Sequence, residues 1–160
     1  MAATYTPIAS ITLGAAAPAV TFSSIPQTYT DLVLVVSGTT TIDGNVKIIF
    51  NSDSSSIYSS TILLGDGSTA ASSRIASNTT LFLGGISTVQ GTNIIQIFNY
   101  ANTTTFKSVI ARANSDTFVQ MRVGLSRSTT AVTSITLTTD GTNFLTNTTF
   151  NLYGILGANA

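Results

Sequence analysis

Residues Asp31–Ser37 read D-L-V-L-V-V-S, and this run constrains the fold more than any other. Side chains alternate between the two faces of a strand. Leu32, Leu34 and Val36 therefore fall on one face, and Val33 and Val35 on the other. A strand that is apolar on both faces has to be covered on both, by a second sheet or by another subunit. A single sheet with one wet face cannot hold it.

The rest of the chain offers partners of the same kind. Tyr5–Leu13, Val20–Ser23, Val46–Phe50, Thr61–Leu64 and Thr79–Leu83 are short apolar or alternating runs, the last stopped by Gly84-Gly85. Asn93–Tyr100 and Phe106–Ala113 read as a hairpin joined by residues 101–105. In Phe118–Val123, Val119, Met121 and Val123 share a face opposite Gln120 and Arg122. At the C-terminus, Val132–Thr138 and Thr148–Leu156 flank Asp140-Gly141, and Asp-Gly is a tight-turn pair, so a second hairpin is expected there. Ser68–Asn78 is small and polar without a period, with room for one helical turn over Thr69–Ala76. Asn51–Ser60 reads as a polar loop.

About ten short strands with turn signals between them, and little or no helix, predict an all-β chain: an antiparallel β-sandwich or barrel. With 160 residues it is one domain. Residues 14–160 form the sandwich. Residues 1–13 are either an arm on a neighbouring subunit or an edge strand of the same subunit, because Pro7 suits an edge and Gly14–Pro18 resembles a hinge.

Charged residues make up only 8% of the chain, while Ser and Thr number 49 and mean hydropathy is +0.39. Soluble monomers usually keep a charged surface. Burial against partners or against copies of itself would explain so little charge; a surface solvated by hydroxyls and amides is the other explanation. Six Lys and Arg balance six Asp, with no basic run, so neither nucleic acid nor a membrane surface is an expected partner. The N-terminus lacks the basic start and apolar core of a signal peptide, and no apolar run is long enough to cross a membrane as a helix.

The chain has no His, Cys, Glu or Trp. That removes the common general base, the thiol nucleophile and the usual zinc ligands. A Ser–Lys pair would need Lys47 or Lys107 buried beside a serine, and Ser108 points away from Lys107. Asp43, Asp66 and Asp140 precede glycines and are explained by turns, while Asp31 starts a strand and Asp116 lies in a polar loop. Asp53 and Asp66 could share a calcium ion only with help from carbonyls. No catalytic, metal or cofactor residue is assigned. Arg112 and Arg122 lie in strands and either face solvent or pair with an Asp across a subunit contact. Asn-Thr-Thr at Asn78, Asn102 and Asn147 matches the glycosylation pattern by chance in a Thr-rich chain.

Three stretches together carry a family resemblance: Ile11–Leu32 (I-T-L-G-A-A-A-P-A-V-T-F-S-S-I-P-Q-T-Y-T-D-L), Phe98–Arg112 (F-N-Y-A-N-T-T-T-F-K-S-V-I-A-R) and Ile135–Ile155, ending F-N-L-Y-G-I. They resemble small virion structural proteins of tailed bacteriophages, including decoration proteins of cyanophage type and tail-fibre tip domains. The resemblance covers nearly the whole chain and is weakest over Thr39–Gln90. It implies a jelly-roll-like sandwich, a homotrimer, and a place in the virion. The first expectation is a capsid decoration (cement) protein bound to the major capsid protein. The alternative is a receptor-binding module of a tail or tail fibre, with the polar loop 51–60, Tyr58 and Tyr100 taking a host-surface glycan.

Overall fold

The computed structural model describes residues 4–115, 118–140 and 142–157. Among these there is no helix, and twelve strands carry the fold. They are β1 (Thr6–Thr12), β2 (Ala19–Phe22), β3 (Asp31–Gly38), β4 (Gly44–Phe50), β5 (Tyr58–Gly65), β6 (Ala70–Asn78), β7 (Leu81–Ile86), β8 (Gly91–Ile97), β9 (Lys107–Asn114), β10 (Val119–Ser126), β11 (Ile135–Thr138) and β12 (Thr149–Ile155). The large sheet has the order β1-β12-β3-β8-β9-β10-β5-β6, and the small one β2-β11-β4-β7. The observed pairings are antiparallel, as expected of a β-sandwich.

The doubly apolar run sits in the middle of the large sheet. β3 pairs with β12 on one side and β8 on the other. Leu32, Leu34 and Val36 point into the core with Val46, Ile48, Leu81, Leu83, Ile95, Ile135, Leu137, Phe150 and Leu152. Val33, on the opposite face, is also buried. The predicted hairpin of β8 and β9 is present, in register from Thr92↔Asn114 to Ile97↔Val109.

The C-terminal hairpin is not formed. β11 pairs with β2 and β4 in the small sheet, whereas β12 pairs with β1 and β3 in the large one. Ten residues separate the strands, and Phe144 halfway along is fully buried, edge-on to Phe150 at 4.9 Å and bridged to Ala17 and Thr40. Burial of that ring carries the chain across the sandwich. The Asp140 carboxylate is used at long range: its Oδ2 accepts from the Asn45 backbone N (3.0 Å) and Nδ2 (2.8 Å). Gly141 lies outside the described residues, as do Asp116 and the first three residues of the 1–13 segment.

Two further expectations are corrected. Residues 70–78 are strand, not a helical turn: β6 pairs with β5, and the connecting turn is closed by Asp66, which accepts from Ser68 N (2.9 Å) and Thr69 N (2.6 Å). Both faces of β6 are open to solvent, so no apolar period marks it. Gly84-Gly85 does not stop a strand, because β7 runs through it. A Cβ at Gly84 would stand 1.7 Å from Asn93 Oδ1 and 2.4 Å from the Ala113 Cβ, so the two sheets approach each other only because these residues are glycines.

β1 lies at one edge of the large sheet, paired with β12 of the same chain. Its register shifts between Pro7 and Ala9, where the proline lacks a ladder donor. β6 is the opposite edge.

Candidate interaction surface

The small sheet covers only part of the large one, and the uncovered part is built unusually. In β10, Gln120, Arg122 and Ser126 are buried, while Val119, Met121 and Val123 are 64%, 39% and 53% exposed. The strand is thus turned with its polar side chains inward and its apolar ones outward. The alternation V-Q-M-R-V is legible in the sequence, but alternation separates two faces without saying which is inside.

Three features hold the polar face in. The Arg122 guanidinium lies 5.8 Å from the Phe82 ring centroid, within cation–π reach, and its Nη2 donates to Asn45 Oδ1 at 3.3 Å. Lys47 Nζ lies over the same ring at 5.4 Å and pairs with Asp140 Oδ1 at 3.1 Å. Burial pushes the Arg122 pKa down, and the nearby Asp140 carboxylate pulls it back up. Among the described residues, Arg122 Nε and Gln120 Oε1 have no hydrogen-bond partner. Finally, Gly124 leaves room for Leu81, whose Cδ1 would meet a Cβ there at 2.7 Å. Arg122 therefore neither faces solvent nor reaches across a subunit contact; its environment comes from its own chain. Arg112 is exposed on the outer face.

On that outer face the side chains form rows across the strands. Leu63 of β5, 59% exposed, stands opposite Met121, which stands opposite Arg112 of β9. The row continues through Ile94 of β8 to Val35 of β3. The neighbouring row runs Thr61, Val123, Ile110, Gln96, Val33. Leu63, Met121, Arg112 and Ile94 of the first row, with Ala70 of β6 and Val119, line a shallow depression of about 790 Å³, and Arg112 is the cation among the described residues that line it. The exposed apolar side chains of this face are Leu63, Val119, Met121 and Val123, clustered on β5 and β10, and clustered exposed apolar surface marks contact sites in folded proteins.

The other residues singled out from sequence are used up locally. Tyr58 and Tyr100 are fully buried. The Tyr58 hydroxyl donates to Asp53 O (2.9 Å) and accepts from Phe50 N (3.0 Å), and that of Tyr100 donates to Pro26 O. Neither ring offers a face to a glycan, which corrects that expectation. Lys107, also buried and in register with Ser126, donates to the carbonyls of Asn102 (2.6 Å), Thr105 (2.8 Å) and Thr129 (3.2 Å). All three ammonium hydrogens are engaged, so it has no free lone pair with which to activate a serine. A second cavity, of about 220 Å³, lies beside it, lined by Asn51, Asp53, Tyr58 and Ser128 among others.

Asp53 and Asp66 flank opposite ends of the eight-residue strand β5, roughly 25 Å apart at about 3.3 Å per residue, and cannot share one ion. Asp53 accepts from Ser55 N (2.9 Å) and Ser55 Oγ (2.5 Å). No cluster of three potential metal-binding side chains occurs among the described residues. The Asn-Thr-Thr triplets have turn roles: Asn78 Oδ1 accepts from Thr79 N and Thr80 N, Asn102 Oδ1 accepts from Thr104 N and Thr105 N, and Asn147 takes a left-handed φ of 68°.

No protein-family model matches the sequence, and no curated protein is significantly similar to it.

Proposed function

We propose that this chain is a non-enzymatic virion structural protein of a tailed bacteriophage, a decoration protein that binds the head shell as trimers. The observation that carries the assembly part is the outward apolar face of β5 and β10. A free monomer gains nothing from exposing Leu63, Val119, Met121 and Val123 while burying Gln120 and Arg122. A protein that works in a lattice of contacts gains a sticky surface with little charge to repel its neighbours. Placement in a virion rests on the resemblance of the three quoted stretches, and the jelly-roll kinship goes with it. The glycan-binding alternative keeps the polar loop 51–60 that motivated it, without Tyr58 and Tyr100, whose rings are buried.

Immunogold labelling of intact particles with an antibody against this chain tests the proposal. Gold spread over the heads supports it. Gold confined to the tail end replaces it with the tail role, and particles free of gold remove it.

A further inference from the structure

We infer that the depression on the outer face of the large sheet binds an amphiphile with one negative head and a hydrocarbon tail, a long-chain carboxylate taken from free solution. The inference concerns this depression alone and does not depend on a place in the virion. Val123, in the neighbouring row, lies outside it.

Strand register sets its shape. Beside the row of Leu63, Met121, Arg112 and Ile94, a second row lines the depression: Ala70, Gly65, Val119, Asn114 and Thr92. Leu63 and Val119 stand up from β5 and β10 as exposed side chains. Gly65 has none, Ala70 has only a methyl group, and a Cβ placed on Gly65 meets nothing within 4 Å. The low ground is therefore on the β5–β6 side, and Arg112 stands away from it on β9. From Ala70 of β6 to Arg112 is three strand spacings, roughly 14 Å at about 4.8 Å each. A medium acyl chain laid across the strands covers that distance.

Three features of the lining select this class of ligand. Leu63, Met121, Val119, Ile94 and Ala70 offer carbon surface, which favours a hydrocarbon over a sugar or a peptide whose polar groups would go unpaired there. Arg112 is exposed, and among the described residues its guanidinium has neither a hydrogen-bond nor an ion-pair partner. A guanidinium takes a carboxylate in two parallel bonds, and its planar fork is weakly hydrated enough to do so beside apolar side chains. Third, the depression has a single cation. Arg74 stands in the neighbouring row, opposite Thr61 and outside it. Anionic bilayers and nucleic acids are held by several cations together. One positive charge at the end of an apolar trough matches one negative charge at the end of a chain.

The test is a titration of the purified, isotope-labelled protein with dodecanoate, kept well below its micelle concentration and followed by amide NMR shifts. Saturable shifts confined to the two rows are expected, with a dissociation constant between about 10 µM and about 1 mM, the range for a ligand of this size. Arg112→Gln is expected to weaken binding about tenfold, as loss of one exposed charge-assisted contact does. Dodecyltrimethylammonium, the same tail with the opposite charge, is expected to bind at least about tenfold more weakly than dodecanoate. Gly65→Leu fills the low ground without meeting a neighbour at its Cβ and is expected to weaken binding at least about tenfold, while the rest of its spectrum verifies the fold. Dodecanoate that produces no saturable shift, equal binding of the ammonium amphiphile, or a Gly65→Leu variant that binds like the wild type would overturn the inference. Binding to anionic phospholipid vesicles in place of monomeric dodecanoate would also overturn it. So would shifts in these rows on raising the protein concentration with none from dodecanoate, which would give the depression to a second copy.

Discussion

Arg122 Nη2 donates to Asn45 Oδ1 across 3.3 Å, joining the inward face of the large sheet to the small one. Asn45 also donates twice to Asp140, and Asp140 pairs with Lys47, so the Asp140 carboxylate serves a cluster with two cations. Removing it leaves Lys47 and Arg122 facing each other across the Phe82 ring. Asp140→Asn is expected to cost about 1–3 kcal/mol in chemical denaturation, and Asp140→Asn with Arg122→Met to recover most of that loss, because an apolar side chain of similar length ends the burial of an uncompensated charge.

Gly84 is where the sheets come closest. Gly84→Ala puts a methyl group onto Asn93 Oδ1 and the Ala113 Cβ, and at least about 2 kcal/mol is expected to be lost, with a clear drop in melting temperature. Gly14→Ala has nothing within 4 Å and is expected to change stability little.

Lys107 ties three separate carbonyls together. Lys107→Met keeps the length of the side chain and leaves those acceptors without their donor. A loss of about 2–4 kcal/mol is expected, at the upper end for a site that strands several buried polar groups. Urea titration reads it directly.

Acid should loosen two turns first, one at each end of β5. Bonds from Thr69 N and then Ser68 N hold the Asp66 carboxyl well below its ordinary value of 3.8, and Ser55 does the same for Asp53. A carboxyl held low in the folded chain takes up a proton less readily there than in the unfolded chain. Its stabilisation is full above pH 3.8 and drains away as pH falls through the lowered folded value. Protection of the Ser68 and Thr69 amides, measured against the intrinsic exchange rate at the same pH, is expected to hold at about pH 4 and to fall only as the pH drops well below 3.8, and Asp66→Asn is expected to show reduced protection already at neutral pH.

How much of this was legible in the sequence follows from what burial does to pattern. Asp31–Ser37 could be read because both its faces are covered, and the β8–β9 hairpin because its strands are adjacent and its loop is marked by Asn102. β6 left no trace, since a strand exposed on both faces has no reason to alternate. The C-terminal hairpin failed because Asp-Gly is a local signal, whereas the burial of Phe144 is not local. Tyr58 and Tyr100 sit in polar runs yet anchor loops onto the core; a single aromatic among Ser and Asn residues was the available sign of that. For β10 the sequence separates Val119, Met121 and Val123 from Gln120 and Arg122. Only the position of Phe82, Asn45 and Gly84-Gly85 in space decides that the polar set goes inward.

The most direct test of the account concerns that reversal. The chain has no cysteine, so Val123→Cys provides a single thiol. Its rate of reaction with a maleimide can be followed at dilutions where the protein is monomeric and at concentrations where it assembles. The account predicts labelling near the rate of an unstructured thiol in the monomer, slowing at least tenfold on assembly as the face is covered. A thiol protected in the monomer would contradict the outward orientation of β10, and equal fast labelling at every concentration would contradict the interface.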